Sequence, residues 1–219
     1  MYTPIPCNII NGVIFDLDNT LVSSKLDFDW LRQQLGCTAD TDLLQYIDGI
    51  ADISLRTQLE NKVIEYELAD ARQSAIMPEC DELLSYLGQQ KIPTAVVTRN
   101  CSQAAMLKIN HHKLQFERIV SREDFPPKPA PDALIDIADQ WQLDPQNILY
   151  VGDYVYDLQA AYRANMPSCL VTNGEDLPFL NQASVVVQQL GGLTKILREQ
   201  AYMLPQEHDR VESNVQSGN

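Results

Sequence analysis

The chain has 219 residues, enough for one large domain or for a catalytic domain carrying a small inserted one. Apolar residues make up 45% and charged residues 21%, which supplies a real core and excludes a disordered or membrane-embedded chain. A formal charge of −14 argues against nucleic acid and anionic membrane surfaces as partners, because both are bound through clustered Lys and Arg.

Residues 9–15 (IINGVIF) form a short, β-branched apolar run ending at Asp16, the pattern of a buried strand. The next stretch, from about 22 to 77, contains no convincing strand. Residues 26–36, 40–50 and 54–73 read as three amphipathic helices, with Asp40 or Thr41 as the predicted cap of the second and Ser54 of the third. Pro78 then opens a return to alternating elements. Strands are predicted at 93–98, 117–120, 147–151, 168–172 and 185–187. Helices are predicted at 79–90, 101–113, 130–141, 155–165 and 189–202. Strands and helices alternating at this spacing imply an α/β fold with a parallel sheet covered on both faces. The domain reading is therefore a core of residues 1–21 and 78–204, an all-helical insertion of residues 22–77, and a polar, disordered tail over 205–219.

Cys7, Cys37, Cys80, Cys101 and Cys169 are odd in number and form no C-x-x-C pair, the pattern of reduced thiols in a cytoplasmic protein. The N-terminus lacks the pattern of a signal peptide, and no apolar run is long enough to predict a transmembrane helix.

Four local signals carry chemistry. FDLDNT places Asp16, Asp18 and Thr20 directly after an apolar strand, where an open parallel sheet binds its ligands. VVTRN puts Thr98 at the end of another strand, followed by Arg99. PPKPAPDAL holds Lys128 among prolines before a helix. YVGDYVYD sets Asp153 and Asp157 after a strand, with Gly152 permitting close backbone approach. Each alone has an ordinary structural explanation as a helix cap, a turn or a solvated lysine. Together, in order, they place acid pair, hydroxyl, lysine and acid pair on one sheet edge. That inventory suits phosphoryl transfer: carboxylates hold Mg²⁺, and a hydroxyl and an ammonium bind phosphoryl oxygens. One carboxylate remains to attack and another to move protons.

D-x-D-x-T, a strand-end Thr, a Lys before a helix and G-D-x-x-x-D, spanning roughly residues 9–172, resemble the haloacid dehalogenase superfamily. FDLDNTL and the Pro78-Glu79 pair resemble its phosphoglycolate phosphatase and β-phosphoglucomutase branch. The resemblance implies a Rossmann-like three-layer core, with residues 22–77 as a helical cap inserted after the first strand. It implies a Mg²⁺-dependent phosphatase in which Asp16 is the nucleophile and forms an aspartyl-phosphate, and Asp18 is the acid and then the base. Thr98, Lys128 and the neighbouring Arg99 are the implied phosphate ligands. Asp16, Asp153 and the backbone carbonyl of Asp18 are the implied metal ligands. Thr20, Gly152 and Asp157 support them, Asp157 either through a metal-bound water or by orienting Lys128. Asn19 and Asn165 stand where relatives often carry Gly, and Asn tolerates the left-handed backbone such positions need.

The implied substrate is a small phosphorylated metabolite: phosphoglycolate-like, a sugar phosphate or a nucleotide monophosphate. The protein is expected to be a monomer or homodimer without nucleic-acid or membrane partners. A phosphomutase and a non-enzymatic binding protein on the same scaffold are the alternatives. Lys25, Arg32, Arg56, Lys62 and Arg72 are the helical segment's candidate substrate-facing cations. His111 and His112 are read as surface residues, and Trp30 and Trp141 as packing residues.

Overall fold

The computed structural model describes residue 3, residues 10–38 and residues 41–202. The chain enters at β1 (Gly12–Phe15) and passes through α1 (Phe28–Leu35), α2 (Leu43–Asp48) and α3 (Ile53–Ala71). It then alternates: α4 (Cys80–Gln89), β2 (Thr94–Val97), α5 (Ser102–His111), β3 (Arg118–Val120), α6 (Asp132–Trp141), β4 (Ile148–Gly152), α7 (Val155–Arg163), β5 (Ser168–Val171), β6 (Val185–Val187) and α8 (Leu190–Tyr202). The six strands form one sheet in the order β3-β2-β1-β4-β5-β6, and every pair is parallel.

Strand periodicity divides the core into two layers. Val13 and Phe15 of β1, with Leu149 and Val151 of β4, pack against α4, α5 and α8 through Leu83, Leu87, Ile109 and Leu193. Ile14, Ala95, Ile148 and Tyr150 face the other way, onto Leu134, Ile137, Ala160 and Ala161 of α6 and α7. The central strands are apolar in an unbroken run because both faces are covered. Strand order reverses between β1 and β4, which leaves a crevice at the carboxyl ends of these strands. Gly12 lies close under Trp141, whose ring would stand 2.9 Å from a Cβ there, so this tryptophan packs as expected.

The helices between β1 and α4 gather their own apolar cluster from Leu31, Leu35, Cys37, Leu43, Ile47, Leu59 and Val63. Their caps differ from expectation. Asp42 caps α2, accepting from the amides of Leu44 and Gln45, and Asp52 caps α3, accepting from Leu55. Thr41 instead spends its hydroxyl on Thr38, and Ser54 lies inside the first turn; Asp40 is outside the described residues. Both aspartates stand in extended backbone immediately before the helix, at φ −63°, ψ 125° and φ −74°, ψ 107°, which turns the carboxylate back onto the unpaired amides of the helix start. Trp30 is 46% exposed and packs one face on Tyr66, so it is a surface ring and not a core residue. His111 is exposed as expected. His112 is half-buried, with its Nε2 3.0 Å from the Ser74 hydroxyl.

Asn19 and Asn165 adopt left-handed backbone at φ 55° and 59°, the conformation their type tolerates. Cys37, Cys80, Cys101 and Cys169 are buried free thiols, while Cys7 and the expected tail over 205–219 lie outside the described residues. Among the described residues no helix is long and apolar enough to cross a membrane.

Candidate active site

Each strand-end motif lies where the sheet topology requires. Asp16 follows β1, Thr98 follows β2, Lys128 lies in the loop between β3 and α6, and Asp153 follows β4. These residues line one cavity of about 610 Å³ with Asp18, Arg99 and Asp157. Two other expected site residues do not reach it. Thr20 is fully buried beneath the loop, and its hydroxyl finds no hydrogen-bond partner among the described residues. Gly152 contributes by lacking a side chain: a Cβ there would collide with the Asp157 carboxylate.

Lys128 is the electrostatic centre. Its side chain is 3% exposed, and its ammonium lies 2.5 Å from Asp16 Oδ1, 2.7 Å from Asp157 Oδ1 and 2.8 Å from the Tyr150 hydroxyl. Burial alone would lower its pKa, but Asp157 and Asp16 outweigh burial and raise it. Asp157 also receives the backbone N–H of Tyr154 at 3.0 Å and the Tyr150 hydroxyl at 3.1 Å. Both of its oxygens are therefore engaged, one by Lys128 and the other at the start of α7.

One lysine does not balance the acids around it. Carboxylate oxygens of Asp16, Asp153 and Asp157 lie within 4.8 Å of one another. Burial pushes Asp16 up to about 7, with Asp157 and Asp18 adding to the rise against the pull of Lys128. Asp153 is pushed well above the carboxylate range by burial, then by Asp16 and Asp157. Such a cluster is relieved by a proton or by a hard cation with oxygen ligands, and this donor set fits Mg²⁺.

On the opposite side, Asn100 donates 3.0 Å to the Thr98 hydroxyl and 2.7 Å to Asp18 Oδ2. The ammonium of Lys108, from α5, takes the other Asp18 oxygen. Thr98 is buried and also accepts the Asn100 amide N–H at 3.1 Å. Arg99 hydrogen-bonds the backbone carbonyl of Lys128, pairs with Asp42 at 2.5 Å and stacks 4.8 Å over Tyr156.

The three-helix segment closes the cavity with Leu26, Phe28, Leu43 and Leu44. Of its five candidate cations only Lys25 and Arg32 line the cavity. Arg56 faces Glu60, while Lys62 and Arg72 point to solvent. Arg32 is held by Asp29 at 2.7 Å and by the Thr41 carbonyl at 3.2 Å.

Several residues escaped sequence reasoning: Asn100, Lys108, Tyr150, Asp42, Glu67 and Asp70. Asn100 carried a signal in the T-R-N run. Lys108 and Tyr150 carried none, since a helical lysine and a strand tyrosine look ordinary. Glu67, on α3, is buried and accepts from the Cys101 amide at 3.0 Å and from Arg122 at 2.5 Å, which joins the helical segment to the start of α5.

Comparison with known proteins agrees with this architecture. The family model described as haloacid dehalogenase-like hydrolase matches residues 13–171. A haloacid dehalogenase-like hydrolase domain-containing protein of Arabidopsis thaliana is 29% identical, over 74% of this chain and 71% of its own. A phosphoglycolate phosphatase of Shigella dysenteriae is 25% identical, over 86% of this chain and 92% of its own. Among solved structures, a hydrolase from Pseudomonas syringae superposes with a TM-score of 0.71 at 21% identity, covering 86% of this chain and 98% of its own. A HAD phosphatase from Thermococcus onnurineus gives 0.64 at 21% identity, over 85% and 97%. The parallel sheet, the carboxylate pair after its first strand and the family match across most of the chain have one meaning: this protein belongs to the haloacid dehalogenase-like hydrolases and is an enzyme of that family.

Proposed function

We propose that this enzyme is a cytoplasmic, Mg²⁺-dependent phosphatase that hydrolyses a small phosphorylated metabolite through an aspartyl-phosphate on Asp16. The observation that carries the reading is the convergence of Asp16, Asp18, Thr98, Lys128 and Asp153 on one cavity from four separate segments of the chain. The similarity to phosphoglycolate phosphatases over most of both chains supports a phosphate monoester as substrate.

Hydrolysis of phosphate monoesters is among the slowest uncatalysed reactions, so positioning and charge neutralisation must supply most of the acceleration. Asp16 attacks phosphorus while the bond to the ester oxygen breaks, and Asp18 gives its proton to that leaving oxygen. A water then attacks the aspartyl-phosphate, Asp18 takes a proton from it, and Asp16 is released with inorganic phosphate. Thr98 and Lys128 hold the phosphoryl oxygens, and Arg99 stands at the rim beside them. Asp157 and Tyr150 fix the Lys128 ammonium. Asp16, Asp153 and the backbone carbonyl of Asp18 would hold Mg²⁺. That ion supplies positive charge against the repulsion between an anionic nucleophile and an anionic phosphate.

The helical segment acts as a cap whose wall of Leu26, Phe28, Leu43 and Leu44 meets the leaving group. A cavity of about 610 Å³ admits a phosphoglycolate-like ester, a sugar phosphate or a nucleotide monophosphate. The test is a panel of phosphorylated metabolites assayed for free phosphate with and without Mg²⁺. Hydrolysis that stops on chelation and returns with Mg²⁺ supports the reading. Undiminished turnover after exhaustive chelation defeats the metal assignment, and silence across the panel defeats the phosphatase.

A further inference from the structure

Lys108 has no part in the reaction described above, yet it is the least exposed charged side chain among the described residues, at 0%. An ammonium removed from water is tolerated only when anions meet it directly. Two do. One is Asp18 and the other is Asp70 near the end of α3, at 2.8 Å. Asp70 in turn accepts from the Ser24 hydroxyl at 3.0 Å and from the Lys25 amide at 2.7 Å. Ser24 and Lys25 belong to the segment that leads from β1 into the helices. Lys108 therefore sits at a junction of the sheet-side helix α5, the proton-transferring carboxylate and both connections of the helical segment.

Lys108 is absent from the cavity wall, so it cannot touch substrate. What it controls is the direction of the Asp18 carboxylate. Asn100 fixes one oxygen of Asp18 from the side of Thr98, and Lys108 fixes the other. Two donors on opposite oxygens leave the plane of the carboxylate little freedom to rotate. Asp70 and Asp18 share a single ammonium, so displacement of α3 removes one of the two anchors that place it.

We infer that Lys108 is a positioning residue for Asp18, and that Asp70 couples the alignment of this acid to the seating of the helical cap. The inference rests on the phosphatase reading and deepens it. An acid that is misaligned costs most where the leaving oxygen needs a proton. An alkyl phosphate expels a strongly basic alkoxide, whereas p-nitrophenyl phosphate expels a stable phenolate that needs little help.

The experiment compares kcat/KM for glycerol phosphate and p-nitrophenyl phosphate with Mg²⁺ in the wild type, Lys108→Met and Asp70→Asn. Lys108→Met should lower the alkyl value by about 10²-fold and the aryl value by less than about tenfold, the range expected for loss of general acid catalysis. Asp70→Asn, which keeps shape and leaves Lys108 on Asp18, should show the same selectivity with a smaller loss. Circular dichroism and a thermal melt establish that each variant is folded. If Lys108→Met does not fold, Asp70→Asn decides the matter alone. Equal losses on both esters in a folded variant, or an Asp70→Asn variant with wild-type values on both, overturn the inference and leave the phosphatase reading standing. A wild type inactive on both esters and on the metabolite panel overturns both.

Discussion

The sheet edge and the helical segment reach the same cavity by different means. At the sheet edge, three of the candidate side chains directly follow a strand, Asp16 after Phe15, Thr98 after Val97 and Asp153 after Gly152, and Lys128 lies in the loop between β3 and α6. Backbone hydrogen bonds to a parallel neighbour on each side of β1, β2 and β4 determine where these residues go. The helical segment has no such lattice. It is joined to the core by side chains that meet across long stretches of sequence: Glu67 with Arg122, Asp70 with Lys108, and Asp42 with Arg99. A site made this way combines a rigid half, fixed by the backbone of the sheet, with a half fixed by side chains: these ion pairs and the apolar packing of Ala71 with Cys101 and Ala104.

This contrast is open to attack at both ends. The largest expected effect is at the rigid half: Asp16→Asn should lower kcat by about 10⁴-fold or more while the circular dichroism spectrum stays that of the folded protein. Substantial steady-state activity in that variant would falsify the nucleophile assignment.

The next is at the junction. Glu67→Ala leaves Arg122 and the Cys101 amide without their buried partner, and should destabilise the protein by about 3–5 kcal/mol in urea denaturation. A loss below about 1 kcal/mol would mean that the clamp is far more hydrated than its burial implies.

A third prediction concerns pH. The carboxyl of Asp16 titrates at about 7 in the folded, metal-free protein against 3.8 as its ordinary value. Between those values the folded state binds the extra proton. The stabilisation from this group is complete below the unfolded pKa and is lost as pH rises through about 7. The melting temperature of metal-free protein should therefore fall from about pH 5 to about pH 8, and Asp16→Asn should flatten that slope. A melting temperature that rises over the same range in the metal-free wild type, and falls in the variant, contradicts the burial of this charge.

The smallest effect separates two readings of a helix start. Asp52→Ala should cost about 1 kcal/mol through the lost cap of α3, whereas Ser54→Ala should cost a few tenths. Equal costs would mean that the cap contributes nothing to this helix.

Much of the rigid half was legible in the order of residues. The alternation of short β-branched runs with amphipathic stretches specified the α/β class, since burial on both faces leaves no polar stripe in a central strand. The left-handed backbone of Asn19 and Asn165 followed from the resemblance, since relatives often carry Gly at these positions and Asn tolerates the same angles. The helix starts of the inserted segment were harder. Asp, Ser and Thr crowd the region near residues 38–54, and which of them caps is decided by the backbone angle at each, not by type. Lys108 was invisible because a lysine on an amphipathic helix looks solvated until two distant carboxylates are folded against it.

The amino-acid order by itself determined which residues stand at strand ends, and with them the nucleophile candidate, the acid, the strand-end threonine and the loop lysine. Tertiary structure decided their partners: that Lys128 lies between Asp16 and Asp157, that Asn100 and Lys108 grip the two oxygens of Asp18, and that α3 sends Glu67 and Asp70 into the core. Strand ends follow from local periodicity, which any short window of sequence contains. Ion pairs between residues 29 to 112 positions apart depend on how the layers pack, and no local pattern encodes that.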